Sequence, residues 1–267
     1  MFRDDNRLAN YCYCLYKDLQ GYIFLPKNKT YIVSFPKAGR TWLQYMLNKL
    51  YLNKETISDQ NFFKCMHDDS GILSEAGVNR NVYRLFDYGS RMKFKGRKVI
   101  LLVRDPRDIV VSLFHQLTKR SDKPLDTNLE DLVMNDVLGI SRVIRFYEVW
   151  FANILKPKDV LVVRYEDLLE LKGDALFRIT KFIGSPARKD LCHSMYEECT
   201  VDKMREKEKQ GKIEGMRLFG DDPNALKVRK GKIGTHREEM SNHLIDFCNV
   251  RISNSFSPMV YGYVRQE

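Results

Sequence analysis

The chain has 267 residues, 43% hydrophobic and 12% aromatic, enough to bury a core, and its 15 glycines and 8 prolines exclude collagen-like and disordered chains. With 45 Lys and Arg against 35 Asp and Glu, the formal charge is +10. Such a balance points to an anionic partner: nucleic acid, a membrane surface or a phosphorylated small molecule.

The length suits one domain spanning 1–267, with a core over roughly residues 28–250. Near the amino terminus, Arg3, Asp4, Asp5 and Arg7 are followed by no apolar h-region, so no signal peptide is expected. The most apolar stretch there, residues 11–16, is far short of the ~20 residues of a membrane span. Stable membrane insertion is therefore not expected, and a cytoplasmic location is. Cys12, Cys14, Cys65, Cys192, Cys199 and Cys248 form no C-x-x-C pair, so reduced thiols are expected and no zinc site.

Three short apolar runs read as strands buried on both faces, as in a parallel sheet. They are residues 30–35, 98–103 and 160–163, and each leads into a polar turn. After the first, Leu43, Met46, Leu47 and Leu50 form a helical stripe. After the second, Pro106 suits a first helical turn, and Ile109, Val110, Leu113, Phe114 and Leu117 continue it. Residues 140–154 and 168–183 read as two further helices. Strand, loop and helix in repetition predict an α/β domain, P-loop-like, with a central, mainly parallel sheet flanked by helices.

Residues 203–232 hold ten basic and five acidic side chains, +5 in one segment. A solvated charged helix would explain this, and so would a mobile lid closing over an anion. Its end, Val228-Arg229-Lys230-Gly231-Lys232-Ile233-Gly234, favours the lid, because glycines among cations bring backbone amides close to phosphate oxygens.

At Pro36-Lys37-Ala38-Gly39-Arg40-Thr41 a strand ends, a glycine allows a tight turn, and a helix begins with free amides and its positive dipole end. This geometry cradles an anion, but it lacks the G-x-x-x-x-G-K-[ST] order of nucleotide triphosphatases. The run Phe35–Leu43 instead resembles the 5′-phosphosulfate loop of sulfotransferases that use 3′-phosphoadenosine 5′-phosphosulfate (PAPS). Arg104-Asp105-Pro106-Arg107-Asp108-Ile109-Val110-Val111-Ser112 resembles that family's 3′-phosphate motif. Tyr165-Glu166-Asp167-Leu168 is similar to its YED element, and Arg229-Lys230-Gly231 with Gly234 to its RKG-x-x-G segment.

The resemblance implies PAPS as co-substrate, adenosine 3′,5′-bisphosphate as product, no metal, and in-line transfer to an acceptor hydroxyl or amine. It implies that Lys37 stabilises charge on the bridging oxygen, with Ala38, Gly39, Arg40 and Thr41 around the same phosphate. Trp42 would stack on adenine, Tyr165 and Thr200 would reach the adenine side, and Arg104 and Ser112 would hold the 3′-phosphate. Arg229, Lys230 and Gly231 would close over that phosphate. The catalytic base is assigned to His67, in Phe62-Phe63-Lys64-Cys65-Met66-His67, with Lys64 as a possible companion and His115 as the next candidate.

Several positions depart from the family pattern. Ala38 and Arg40 replace a serine and a threonine, Val201 an aromatic residue, and His236 a tryptophan. Arg237, Ser241 and Asp246 echo the dimerisation motif only in part, which leaves the oligomeric state open. Phe62, Phe63, Tyr83, Phe86, Tyr88 and Tyr147 are candidates for an acceptor pocket or for core. The acceptor is expected to be a small alcohol, phenol, amine or glycan. A P-loop-like kinase is disfavoured by the missing G-K-[ST]. A nucleic-acid binder is disfavoured because aromatic residues do not interleave with the basic ones.

Overall fold

A computed structural model describes residue 16 and residues 18–59, 63–67, 91–219 and 225–263, with backbone alone at 65–67 and 261. The strands are β1 (Thr30–Ser34), β2 (Phe63–His67), β3 (Lys98–Val103) and β4 (Asp159–Arg164). Helix α1 is Arg40–Leu52, α2 Pro106–Lys119, α3 Leu129–Met134, α4 Ile140–Ala152, α5 Tyr165–Glu170, α6 Gly173–Ile183 and α7 Lys189–Glu198. They are followed by α8 (Val201–Lys209), α9 (His236–Glu239), α10 (Asn242–Ser253) and α11 (Pro258–Tyr261).

The four strands form one parallel sheet in the order β2-β1-β3-β4. Every residue of β1 is buried, as are five of the six in β3, which explains their unbroken apolar runs. From β1 the chain passes to β2 on one side and then returns to β3 on the other. Ligands in open α/β sheets bind beyond the carboxyl ends of strands at such a switch point. The loop carrying Lys37 leaves β1 at this point, and Arg104 follows β3 beside it.

Three sequence expectations are corrected. β2 is a strand that no apolar run announced. β4 lies at the sheet edge, and within it only Val163 is fully buried, so two-sided burial does not hold there. The expected helix over 168–183 is two helices: α5 starts already at Tyr165, and the chain breaks at Lys172, whose φ of 50° lies in the left-handed region.

The core sits between the sheet and its helices. Phe35 meets Phe146 edge-on at 5.5 Å, and Phe94 packs on Trp150 at 5.2 Å. Phe63 and Tyr147, offered by sequence as pocket or core, are both core. Phe62, Tyr83, Phe86 and Tyr88 lie outside the described residues. Cys192, Cys199 and Cys248 are buried free thiols, and burial pushes Cys199 and Cys248 up to about 12.

Candidate active site

The turn between β1 and α1 is tightly constrained. Lys37 has φ 73° and Gly39 φ 95°, and a Cβ at Gly39 would lie 2.4 Å from Cδ2 of Tyr165. Only glycine fits the conformation and the close approach together. No side chain caps α1 and its first turn carries no acid, so its positive end is open to an anion.

Arg104 joins this turn to two others. Its Nη1 donates to the Lys37 carbonyl at 3.2 Å, its Nη2 donates to the Lys232 carbonyl at 3.2 Å, and its guanidinium lies 4.3 Å from the Tyr165 ring centroid. Its backbone N–H donates to the Tyr147 hydroxyl, which donates in turn to the Arg104 carbonyl, both at 3.0 Å. Glu166 of the YED element acts one step further back. It accepts from the Asp105 N–H and from the Tyr263 hydroxyl.

Asp108, wholly buried in the first turn of α2, ties in the carboxyl-terminal segment. It accepts from the Gly234 N–H, the Thr235 hydroxyl and the His236 N–H, pairs with His236 Nδ1 at 2.8 Å, and faces Arg104 at 3.5 Å. Burial opposes its charge, yet the hydrogen bonds from His236 and the charge of Arg104 hold its carboxyl below the usual range. In α9, Glu239 pairs with Arg229 at 2.6 Å and with Lys230 at 2.8 Å. Burial resists that charge too, but partners His115, Lys230 and Arg229 bring Glu239 down to about 2.

These elements enclose a cavity of about 310 Å³. Among the described residues, eight lysines and arginines line it (Lys37, Arg40, Arg104, Arg120, Arg217, Lys227, Arg229 and Lys230), and no acid does. Lys37 Nζ donates to Gln116 Oε1 at 3.2 Å. Burial, then the charges of Arg120, Lys227 and Arg104, hold the Lys37 ammonium well below its usual range. Lys227 is pushed down to about 8 by burial and by Arg120 and Arg40. A concave wall that holds like charges against one another is built for a polyanion.

Residues 27–257 match the Sulfotransferase domain family. The chain belongs to that family. It is 26% identical over 201 residues to cytosolic sulfotransferase 3 of Arabidopsis thaliana, an alignment covering 66% of this chain and 61% of that relative. It is 24% identical over 249 residues to flavonol 3-sulfotransferase of Flaveria bidentis, covering 82% and 78%. Its fold resembles the mouse sulfotransferase SULT7A1 complexed with PAP, at TM-score 0.64 and 16% identity over 93% of this chain and 92% of that one. A retinol dehydratase in complex with androsterone and the inactive cofactor PAP gives TM-score 0.61 at 17% identity, over 91% and 84%.

Among the sulfotransferase motif residues, the cavity wall brings together Lys37, Gly39, Arg40, Thr41, Trp42, Arg104, Ser112, Tyr165, Arg229, Lys230 and Gly231. Ala38 is buried behind the turn and Thr200 precedes α8, so neither reaches the wall. The Trp42 ring already packs on Tyr165 and Tyr196, each at 5.8 Å, and its Nε1–H donates to the Cys199 carbonyl. Val201 lines the cavity against Gly231.

The backbone of His67 ends β2 beside Ser34, three residues before Lys37. Its side chain lies outside the described part of the structure. Lys64 is half-buried in the same strand. His115 does not line the cavity and pairs with Glu239 at 2.6 Å. His193 pairs with Asp174, His236 with Asp108, and His243 is exposed.

Sequence reasoning missed Gln116, Arg120 and Phe219 on the wall, and placed Arg217 and Lys227 only within the charged segment 203–232. A partial signal existed: Ser112, Gln116 and Arg120 recur every fourth residue along α2 and its end, the spacing of one helix face. Among the described residues, no group of three or more His, Cys, Asp or Glu is placed to hold a metal ion, and no helix is long and apolar enough to cross a membrane.

Proposed function

We propose that this sulfotransferase-family chain moves a sulfuryl group from PAPS to a hydroxyl or amine of a small-molecule acceptor. The observation that carries the reading is the meeting of four motifs, far apart in sequence, around one cation-lined cavity at the switch point of the sheet. The PAP-bound structures named above support the donor, and the flavonol sulfotransferase relative supports a small organic acceptor. The cytosolic relatives support a cytoplasmic location.

In this reading Arg104, Ser112, Arg229, Lys230 and Gly231 hold the 3′-phosphate, with the arginine forks giving charge-assisted hydrogen bonds. The open end of α1, with Gly39, Arg40 and Thr41, holds the 5′-phosphate. Tyr165, Trp42 and Val201 border the adenine. Within residues 203–232, Arg217, Phe219 and residues 228–231 close over the nucleotide, since they already form part of the wall.

The acceptor oxygen forms its bond to sulfur as sulfur's bond to the bridging oxygen breaks. The electron pair of that bond stays on the departing phosphate of adenosine 3′,5′-bisphosphate. Lys37 stabilises this developing charge, and His67 takes the proton of the acceptor hydroxyl. The register of β2 supports this role for His67, because it ends that strand at the edge of the sheet from which the Lys37 loop emerges.

Thermal unfolding tests the donor assignment. Adenosine 3′,5′-bisphosphate in the presence of a chelator is expected to raise Tm by several degrees at saturating concentration. Stabilisation by ATP–magnesium or by an oligonucleotide, with none from the bisphosphate, would overturn the assignment.

A further inference from the structure

Arg120 and Lys227 belong to none of the four sulfotransferase motifs, yet both line the cavity. Arg120 caps the carboxyl end of α2 and is only 6% exposed. Its Nη2 donates to the Arg217 carbonyl at 3.1 Å, while its Nε and Nη1 have no hydrogen-bond partner among the described residues. The guanidinium lies over the Phe219 ring at 5.2 Å, and Arg217 lies over the same ring at 4.6 Å.

Among the described residues, compensation nearby is scarce. The carboxylate that acts on Arg120 and Lys227 is that of Glu208, and both its oxygens are occupied by the N–H groups of Lys227 and Val228, at 2.6 and 2.9 Å. Arg217, by contrast, is already paired with Asp122. A buried guanidinium with two unused donors is costly unless something anionic meets it.

Position along α2 says which substrate that anion belongs to. Ser112, Gln116 and Arg120 follow one face of α2 and its end, about 6 Å apart at 1.5 Å of rise per residue. Ser112 shares the Arg104 end of the cavity, and Gln116 binds Lys37, where the bridging oxygen is placed. Arg120 follows Gln116 by one turn and caps the end of α2 opposite the one that Arg104 precedes. A group seated there lies past the sulfuryl group, on the acceptor side.

We infer that the acceptor carries an anionic oxygen group, a carboxylate or a sulfate ester, which Arg120 and Lys227 bind beyond the transfer point. This rests on the sulfuryl-transfer reading and deepens it by naming the charge of the acceptor. The two cations are specificity-determining residues, and neither takes part in holding the donor nucleotide.

The test is calorimetric titration of the protein, first with adenosine 3′,5′-bisphosphate and then, once saturated, with three phenols: 4-hydroxybenzoate, 4-hydroxyphenyl sulfate and methyl 4-hydroxybenzoate. At least one of the two anions is expected to bind ten-fold or more tighter than the neutral ester, and the better of them shows which anionic group is taken. Arg120→Met and Lys227→Met should each remove most of that preference, Arg120→Lys should retain part of it, and all three should bind the bisphosphate like wild type. Equal binding of the ester, or a preference that survives both methionine variants, would overturn the inference. So would a loss of bisphosphate affinity in Arg120→Met, which would place Arg120 on the donor. Absence of bisphosphate binding by the wild-type protein would instead defeat the sulfuryl-transfer reading itself, so the two failures are distinguishable. Should the methionine variants unfold, the wild-type comparison of anions with ester still decides.

Discussion

Nη1 of Arg104 donates to the main-chain carbonyl of Lys37 at 3.2 Å, across two neighbouring strands of the sheet. The bond joins the residue assigned to the 3′-phosphate to the turn assigned to the 5′-phosphosulfate. Lys37 has φ 73°, a conformation that costs a non-glycine residue on the order of 1 kcal/mol or more and persists where neighbours enforce it. Arg104 is one such neighbour. The donor's two anionic ends are therefore read by groups that brace one another.

This coupling makes the two substitutions differ in kind. Lys37→Ala should lower kcat by about 10²–10³-fold with a smaller effect on bisphosphate affinity, because its charge matters most as the bridging oxygen becomes anionic. Arg104→Ala should weaken bisphosphate binding by about 2–5 kcal/mol and lower kcat as well, since the Lys37 carbonyl is released. Steady-state kinetics with bisphosphate calorimetry separates them. Equal losses of affinity with unchanged turnover in both variants would contradict the assignment.

Two glycines should prove irreplaceable for different reasons. A Cβ at Gly231, where φ is 64°, would stand 2.0 Å from Cγ1 of Val201, and one at Gly39 would strike the buried Tyr165 ring. Gly39→Ala is expected to cost about 1–3 kcal/mol of stability, because the start of α1 is displaced. Gly231→Ala lies in a loop and should leave Tm nearly unchanged, while reducing bisphosphate affinity ten-fold or more. Thermal melts and calorimetry on the same samples check both. Wild-type affinity in Gly231→Ala would show that the segment does not close on the nucleotide.

Nucleotide binding should take up protons in alkaline solution. Lys37 in the free protein is held well below its usual pKa, by burial first and by neighbouring cations second. A bound polyanion raises it again, so between the free and bound values the complex holds more protons than its parts. At pH 9, where the ligand phosphates are fully ionised, the binding enthalpy should rise with the ionisation enthalpy of the buffer. Lys37→Ala should reduce that slope, the remainder belonging to Lys227, which is pushed down to about 8. A flat or negative slope in the wild-type protein would contradict the electrostatic picture.

The parts of the site that were legible in sequence are those written in short contiguous runs. Residues 35–43 and 104–112 carry their geometry with them, because a strand end, a glycine or proline, and a helix start fix the direction of the side chains. The apolar runs of β1 and β3 were equally plain, since both strands are buried on two faces. β2 escaped because its five residues, FKCMH, form no continuous apolar run at the sheet edge. The break at Lys172 escaped for another reason: the apolar stripe continues across it, and only the backbone turns. Arg120, Lys227 and Asp108 acquire their meaning from tertiary contacts. Asp108 gathers three donors from residues 234–236, more than a hundred positions away, and no local pattern announces such a contact.

The most direct test of sulfuryl transfer in this cavity follows radiolabelled sulfate from PAPS into hydroxylated acceptors, with release of adenosine 3′,5′-bisphosphate measured alongside. The wild-type protein should form one labelled sulfate ester for each bisphosphate released. His67→Ala should keep wild-type bisphosphate affinity and lose turnover by about 10²-fold or more, the worth of a positioned base, and the wild-type rate should fall as imidazole is protonated at low pH. Label transferred equally well by His67→Ala would move the base elsewhere. Failure of the wild-type protein to bind the bisphosphate or to transfer label to any acceptor in the panel would contradict the account.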